Sequence, residues 1–273
     1  MFADRRIGFA LVLPALLFIG VGFILPVGVL LAGSFRPSGS WTFDAYTRFF
    51  ANALNQEVFW RTVKLGVLVT AVSAVVGYAA AFAIVDSGRS RGRLIGLLIL
   101  PLMISPVART YSWIVILGRA GLFNTLVLSL GLSDEPIRLL FTETAVFIGL
   151  IQLFLPLMIL SLVSALENLP ADVIPAARVL GAGWPTVFWR VILPLTREGL
   201  IVGGTLVFTG SVTAYITPAV LGGSRVLMLE TLLYQRINVA NDVLTASVIA
   251  VILVAMSYFA NVALRRLASA RAA

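Results

Sequence analysis

The segment Asn168–Leu195 reads NLPADVIPAARVLGAGWPTVFWRVILPL and lies between two long apolar runs. Four prolines interrupt it, and it is too polar to cross a membrane. Its centre, Asp172–Ala182, predicts a short amphipathic helix, because apolar residues recur there at the spacing of one helical face. These residues are Val173, Ala176, Ala177 and Leu180. A helix on a polar loop between two membrane spans is available to a partner protein.

The ends of this short helix are also marked in the sequence. Asp172 lies at its start, where a negative charge interacts favourably with the helix dipole. Gly181 and Gly183 lie at its end, where glycine stops helices. We therefore expect an independent helical unit within the loop.

The composition is that of an all-α, polytopic membrane protein. The 273 residues are 60% hydrophobic and 12% charged, and the mean hydropathy is +1.03. Backbone polar groups in lipid need internal hydrogen bonds, and the apolar runs are continuous rather than alternating, so helices are favoured over a barrel. Six runs are long enough to cross a bilayer. They are Ile7–Ala32, Val63–Val85, Leu94–Leu117, Thr144–Val163, Gly199–Leu221 and Leu244–Leu264.

Several kinds of chemistry are excluded by the residues that the chain lacks. It has no cysteine and no histidine, which excludes disulfides, thiolate or imidazole metal sites and histidine acid–base catalysis. Its only lysine, Lys64, is not preceded by a glycine-rich phosphate loop. We therefore predict no catalytic residue, no metal ligand and no energy source within this chain.

The charges indicate orientation rather than nucleic-acid binding. The net charge is +8, but the basic residues lie at the edges of apolar runs and form no basic stripe. The short Ser87–Arg93 segment carries Arg89, Arg91 and Arg93 and no acid, which favours a cytoplasmic location. This orientation places both termini and residues 168–195 in the cytoplasm.

The loop resembles a known motif. Its Ala176-Ala177, Gly181-Ala182 and Phe188, followed by the run Val191–Pro194, is similar to the EAA loop of the membrane subunits of binding-protein-dependent ABC importers. The resemblance implies a type I importer permease with six transmembrane helices. Residues 1–273 would form a single permease domain, and residues 168–195 its cytoplasmic coupling loop. One departure is Pro175, at a position where the family often has glutamate.

In that family the loop helix docks in a cleft of the ATPase subunit. The resemblance implies that small side chains allow a close approach and that Arg178 pairs with an acid at the rim. The ATPase-coupling residues expected on this basis are Asp172, Ala176, Ala177, Arg178, Gly181 and Ala182.

The resemblance also implies partners. Importers of this type pair two permease subunits with two ATPase subunits and an external solute-binding protein, in the bacterial inner membrane. ATP and Mg would be bound by the ATPase, and no cofactor by this chain. Transport would follow alternating access.

Other stretches narrow the resemblance to the polyamine branch, and to the first permease subunit of spermidine/putrescine systems. They are RTYSWIVILGRAGLFN (Arg109–Asn124), YITPAVLGG (Tyr215–Gly223) and WTFDAYTRFF (Trp41–Phe50). A polyamine is therefore the expected solute. The alternative is an ion-coupled secondary transporter or channel acting without an ATPase. The absence of an acid near the middle of any predicted span weighs against that alternative.

One set of polar residues is a candidate for the translocation pathway, and a single arginine is a candidate for an outer gate or interface. Thr209, Thr213 and Thr217 recur every four residues of the fifth predicted span, and Tyr215 lies among them, so they predict one polar stripe. The alternative is that these hydroxyls bond within their own helix bundle. Arg109 either extends to the outer membrane interface or forms an outer gate or a contact between subunits.

Overall fold

The computed structural model describes residues 5–36 and 40–269, and within these residues it contains helices and no strand. Asp4 and Arg271, which belong to the predicted cytoplasmic termini, lie outside the described residues. The chain divides into two compact units, residues 1–56 with 233–252 and residues 57–232 with 253–273.

The first unit opens with a nearly continuous helical run. It consists of α1 (Arg5–Ile19), a π-helical turn (Gly20–Ile24) and α2 (Leu25–Phe35). A short amphipathic helix, α3 (Asp44–Ala51), follows. Tyr46 of α3 stacks on the ring of Phe35 at 4.9 Å, and its hydroxyl is 2.8 Å from that of Ser34. The aromatic segment after the first span is therefore attached to the C-terminal end of α2.

The next helices form most of the second unit. Helix α4 (Ala53–Asp86) enters it at Glu57, and the unit also contains the following elements up to the loop. They are a 3₁₀ turn (Gly88–Ser90), α5 (Arg91–Met103), α6 (Pro106–Leu117), α7 (Leu122–Ser129) and α8 (Glu143–Glu167).

The loop and the last helices follow. They are α9 (Val173–Val179), α10 (Trp184–Val187), a π turn (Phe188–Ile192), α11 (Leu193–Leu195), α12 (Arg197–Val212), a π turn (Pro218–Gly222), α13 (Leu229–Asn238) and α14 (Val243–Ser269). The first four residues of α13 and the part of α14 from Leu253 onward belong to the second unit.

Five helices among the described residues are long and apolar enough to cross a membrane. They are Leu11–Phe35, Ala53–Asp86, Pro106–Ser129, Glu143–Glu167 and Val243–Arg266. A sixth is obtained if Trp184–Leu195 and Arg197–Val212, which meet at a bend of 72°, count as one span. The predicted all-α class with six spans is consistent with this count.

Two predicted spans have the wrong bounds. The third, Leu94–Leu117, is interrupted where Ile104 and Ser105 become extended, because a residue before proline is disfavoured in the helical region and Pro106 follows. The fifth, Gly199–Leu221, ends as an α-helix at Val212. Thr213 is the C-cap residue of this helix, and Pro218 lies in the first turn of the next helical segment, a position that tolerates proline.

Helices α8 and α12 form the tightest helix pair in the second unit. Gly199, Gly203 and Gly210 of α12 face α8 so closely that an added Cβ would lie 2.4 Å from the Cβ of Ala165, 2.7 Å from the sulfur of Met158 and 2.3 Å from the ring of Phe154, respectively. Small residues at helical spacing allow backbones in a membrane to approach closely. This contact holds together the two helices on either side of the loop.

An ion-pair cluster joins the start of α8 to α4. The Nε of Arg61 is 2.9 Å from a carboxylate oxygen of Glu143, which also pairs with Lys64. Arg61 donates a further hydrogen bond to the carbonyl of Leu227, at 3.2 Å. Since the Arg61 side chain is only 13% exposed, the carboxylate compensates a largely desolvated charge.

Candidate functional site

The predicted loop helix is present but shorter than expected. It is α9, and Asp172 is its N-cap residue, although its side chain makes no capping hydrogen bond. Asp172 is therefore correctly placed for the helix dipole but does not satisfy a backbone N–H. Pro175 is the third helical residue, where the N–H has no partner within the helix, so the proline does not interrupt α9.

The helix ends where the glycine pattern predicts. Gly181 has a φ of +79°, a conformation that glycine adopts without strain. Its N–H bonds to the carbonyl of Arg178 at 2.9 Å, and the N–H of Ala182 bonds to that of Ala177 at 3.1 Å. These two bonds form a Schellman motif, which satisfies carbonyls at the end of the helix. Gly181 and Ala182 therefore shape the end of α9.

The buried face of α9 differs from the predicted one. Ile174 and Ala177 pack against the core of the second unit, whereas Ala176 is exposed. Val179 and Leu180 are each 87% exposed. Both sides of this helix carry apolar residues, so helical spacing alone did not identify the inward one. The outward surface, which we call the α9 ridge, consists of Ala176, Val179, Leu180 and the adjacent Gly181.

An aromatic cluster fixes this loop to α4. Trp184 contacts the ring of Phe82 edge to face, at 5.7 Å, and Phe188 contacts Tyr78 in the same manner, at 5.4 Å. The hydroxyl of Tyr78 is 2.9 Å from that of Thr196, a buried residue. Edge-to-face contacts and a buried hydrogen bond give the loop a defined position on the helix.

Two further contacts, both made by arginine side chains, help to hold the loop in place. The guanidinium of Arg178 lies over the ring of Trp184, with Cζ 5.7 Å from the ring centroid, which is a cation–π distance. Arg91, at the start of α5, pairs with Glu167, at the end of α8. Arg178 thus has a partner within its own loop, in addition to the role at the rim expected from its sequence position.

The residues on which the loop rests, Tyr78, Phe82 and Thr196, were not among the predicted site residues. Tyr78 and Phe82 lie four positions apart in α4, which places both aromatic rings on one side of that helix. This spacing at the end of a span was the available signal. Thr196 carried no comparable signal, because a lone threonine after a proline-containing run has many explanations.

The predicted polar stripe of the fifth span is wrong as a single helical face. Thr209 lies within α12, Thr213 caps its end, and Thr217 follows the break. The hydroxyl of Thr213 donates back to the carbonyl of Thr209 at 2.7 Å. Thr217 is buried, 3.3 Å from the hydroxyl of Thr110, and Tyr215 is half-buried. Thr209, Thr213 and Tyr215 retain partial or full exposure; Thr217 joins α6 to the segment after α12.

Arg109 lies in the first turn of α6, one turn after the interruption of the third predicted span. Its Nε and one Nη are buried and have no hydrogen-bond acceptor among the described residues. Buried donors are almost always satisfied in folded proteins. The role of Arg109 as an outer gate or a contact between subunits stays a prediction.

The described residues contain no group of three or more acidic side chains able to hold a metal ion.

The chain matches a known protein family over most of its length. Residues 9–272 match the family described as the binding-protein-dependent transport system inner membrane component. The chain belongs to this family. Its members are components of a transport system, so the prediction of a permease rather than an enzyme is confirmed, as is its location as a multi-pass protein of the inner membrane.

Curated relatives include named permeases. The chain is 36% identical to the spermidine/putrescine transport system permease protein PotB of Haemophilus influenzae over 202 residues, which are 74% of this chain and 70% of that protein. It is 33% identical to PotB of Escherichia coli over 201 residues, 73% of each chain. The molybdenum transport system permease protein ModB of Mycobacterium bovis is 30% identical over 210 residues, 74% of this chain and 76% of that one. The predicted resemblance to PotB-type permeases is confirmed.

Solved structures show the same fold. A chain of the bacterial alginate ABC transporter, crystallised with an alginate pentasaccharide-bound periplasmic protein, superposes with a TM-score of 0.78 at 17% identity, covering 96% of this chain and 95% of that one. The MetNI methionine ABC transporter gives a TM-score of 0.56 at 18% identity, with 78% and 94% covered. The predicted fold of a type I ABC importer permease is therefore confirmed.

Proposed function

We propose that this chain is one of two permease subunits of an ATP-driven importer that carries a polyamine into the cytoplasm. Family membership supports the importer, and the similarity to the PotB proteins supports a polyamine as the solute. The observation that carries the mechanism is the exposed α9 ridge, in which Val179 and Leu180 are each 87% exposed. Two adjacent, fully solvated aliphatic side chains on a capped helix form a contact surface for another protein.

The partner that this ridge contacts is the ATPase subunit. Residues 168–195 act as the cytoplasmic coupling loop of a permease domain that comprises the whole chain. When the ATPase moves the ridge, Trp184 and Phe188 transmit the displacement to α4 through Phe82 and Tyr78, because these rings are in direct contact. No glycine-rich phosphate loop precedes the only lysine of the sequence, Lys64, and we assign ATP and Mg to two ATPase subunits.

Outside the cytoplasm, an external solute-binding protein delivers the solute to the paired permeases. Thr209, Thr213 and Tyr215 are exposed or half-buried, and they contribute hydroxyl groups to the wall of the pathway. For Arg109 the proposed role is an outer gate or a contact with the second permease subunit.

Reconstitution of the importer tests the proposal. Proteoliposomes that contain both permeases and the ATPase, with the binding protein outside, take up labelled spermidine only with internal ATP. Uptake without the ATPase supports a secondary transporter instead. Uptake of an anion alone contradicts the polyamine assignment.

Leu180→Asp tests the contact itself. Loss of a buried leucine from an interface weakens binding by at least about tenfold, so we expect the ATPase to be lost during purification together with uptake. Thr186→Asp is the control, because Thr186 is an exposed residue of the same loop and receives the same charge. Equal ATPase recovery for both variants would contradict the docking role of the ridge.

Orientation can be measured with single cysteines, since the native chain has none. An impermeant thiol reagent outside the cell is expected to label Arg119→Cys at once, and Arg89→Cys only after the membrane is made permeable. The reverse pattern would place both termini and the loop outside, and would refute the mechanism.

A further inference from the structure

An open groove of about 570 Å³ lies between α8 and α12, at the end of these helices that adjoins the loop. Its volume is within the usual range of small-molecule sites. The lining residues share one property, the absence of any basic side chain. The polar ones are Ser161, Ser164, Asn168 and Glu198.

The polar end of the groove presents hydrogen-bond acceptors. The amide nitrogen of Asn168 donates to the carbonyl of Ser164 at 2.8 Å, so the amide oxygen remains as an acceptor. Ser161 uses its hydroxyl proton on the carbonyl of Gly199, at 2.7 Å, and its lone pairs remain available. A set of acceptors with few free donors favours a cationic ligand.

Glu198 supplies the charge. It is exposed, and among the described residues it has neither an ion pair nor a hydrogen bond. Its place in the first turn of α12 is favourable for the helix dipole. That placement stabilises the helix but leaves the carboxylate open to the groove, in a chain whose net charge is +8. The preceding Arg197 does not line the groove.

The remaining wall is aliphatic. Leu157 and Leu160 of α8 and Val202 and Leu206 of α12 line it. A carboxylate and neutral acceptors beside an aliphatic wall match a chain of methylene groups that carries ammonium groups.

We infer that Glu198 binds an ammonium group of the polyamine in this groove, on the cytoplasmic side of the pathway, while the aliphatic wall contacts the methylene chain. This inference rests on the proposed function. The carboxylate of Glu198 would then select for cations at the cytoplasmic end of the pathway. The other conceivable occupant of an open groove between two helices is a segment of the second permease, and the test below separates the two.

Uptake by the complete reconstituted importer is the first measurement. We expect Glu198→Gln to lower spermidine uptake at limiting concentration by about fivefold, the factor for an ion pair at a partly exposed site, and Glu198→Asp to restore most of it. Asp86→Asn is the charge-matched control, since Asp86 is also exposed and lies outside the groove. ATP hydrolysis stimulated by the loaded binding protein is expected to stay at the wild-type level, which a general folding defect would lower.

If wild-type importer transports no polyamine, the proposed function fails. If wild type transports it and Glu198→Gln does so equally well, only the role of Glu198 fails. A Glu198→Gln variant that loses uptake and stimulated hydrolysis together would show that Glu198 has a structural role, and would also overturn the inference.

Chemical labelling provides an independent test. Ser164→Cys places the only thiol of the variant in the groove and keeps Glu198, and in inside-out vesicles a cationic thiol reagent is expected to modify it faster than a neutral one of similar size. Spermidine is expected to slow this modification, and to leave an Asp86→Cys control unchanged. A crosslink from Ser164→Cys to the second permease, with no protection by spermidine, would show that the groove is an interface between subunits and would refute the inference.

Discussion

The contact of Gly199 with α8 provides the sharpest test of the fold. In Gly199→Ala the new Cβ would lie 2.4 Å from the Cβ of Ala165 and 2.8 Å from the carbonyl oxygen of Ser161. Neither atom is at the end of a flexible side chain, so α8 and α12 must separate. Overpacking of this kind costs about 1–3 kcal/mol. The Ser161 hydrogen bond to the carbonyl of Gly199 contributes about 1 kcal/mol, and its geometry is lost with the separation.

The higher helix propensity of alanine relative to glycine offsets about 1 kcal/mol of this loss. The expected net loss is therefore about 2 kcal/mol. Gly204→Ala is the matched control on the same helix, because the atoms nearest to its Cβ would be the Cγ2 of Thr70, at 3.7 Å, and the Cδ1 of Leu264, at 3.4 Å. Both are ordinary van der Waals distances, and this variant is expected to be as stable as the native protein or slightly more so.

Thermal unfolding of the purified permease in detergent measures the difference. For a chain of this size, about 2 kcal/mol corresponds to a fall in Tm of about 4–8 °C. The double variant Gly199→Ala with Ala165→Gly removes the Cβ–Cβ overlap but leaves the carbonyl contact, so it is expected to recover part of the loss. A Tm for Gly199→Ala equal to or above that of Gly204→Ala would refute the packing described for α8 and α12.

Three further predictions concern the cap, the ion pairs and a half-buried carboxyl. Gly181→Ala places a Cβ at a φ of +79°, which costs about 1–2 kcal/mol, so the end of α9 is expected to loosen and ATPase recovery to fall; unchanged recovery would contradict the Schellman cap. Glu143→Gln removes one of the two carboxylates that pair with Arg61, whose side chain is 13% exposed, while the ion pair with Glu57 remains, and it is expected to cost about 1–3 kcal/mol in denaturant unfolding. Lys64→Gln, at a side chain that is 53% exposed, is expected to cost less than about 1 kcal/mol, and equal losses would be the contrary result. Burial raises the pKa of the Glu230 carboxyl, so the folded protein binds the carboxyl proton more tightly than the unfolded chain does. Stability therefore falls as pH rises from the pKa of Glu230 in the unfolded chain through its higher pKa in the folded protein. Glu230→Gln is therefore expected to have the higher Tm at pH 7.5, with a difference that disappears in acid, and identical melting at pH 7.5 would disprove this.

Much of the fold follows from local sequence. The long apolar runs are sufficient to predict spanning helices, because a lipid environment leaves a continuous apolar segment no other way to bond its backbone. The end of α9 was equally predictable, since Gly181 can take a positive φ that other residues avoid. The interruption before Pro106 follows from a local rule, that the residue before a proline avoids the helical conformation. The length of the apolar run nevertheless favoured the prediction of one continuous span.

The features on which function depends are set by contacts between distant residues. Val179 and Leu180 face outward because Ile174 and Ala177 pack on the core, a choice between two apolar sides that helical spacing leaves open. The loop is held by the hydrogen bond between Tyr78 and Thr196, which are 118 positions apart.

The amino-acid sequence by itself determined that this chain is a helical membrane protein with a capped loop helix, and it predicted no catalytic residue, metal ligand or energy source. Only the tertiary structure decided which face of that helix is free, that the polar stripe ends with α12 at Val212, and that Glu198 lines an open groove. The physical reason is that hydrogen bonding along a helix is local, whereas the burial or exposure of a side chain depends on which distant helix packs beside it.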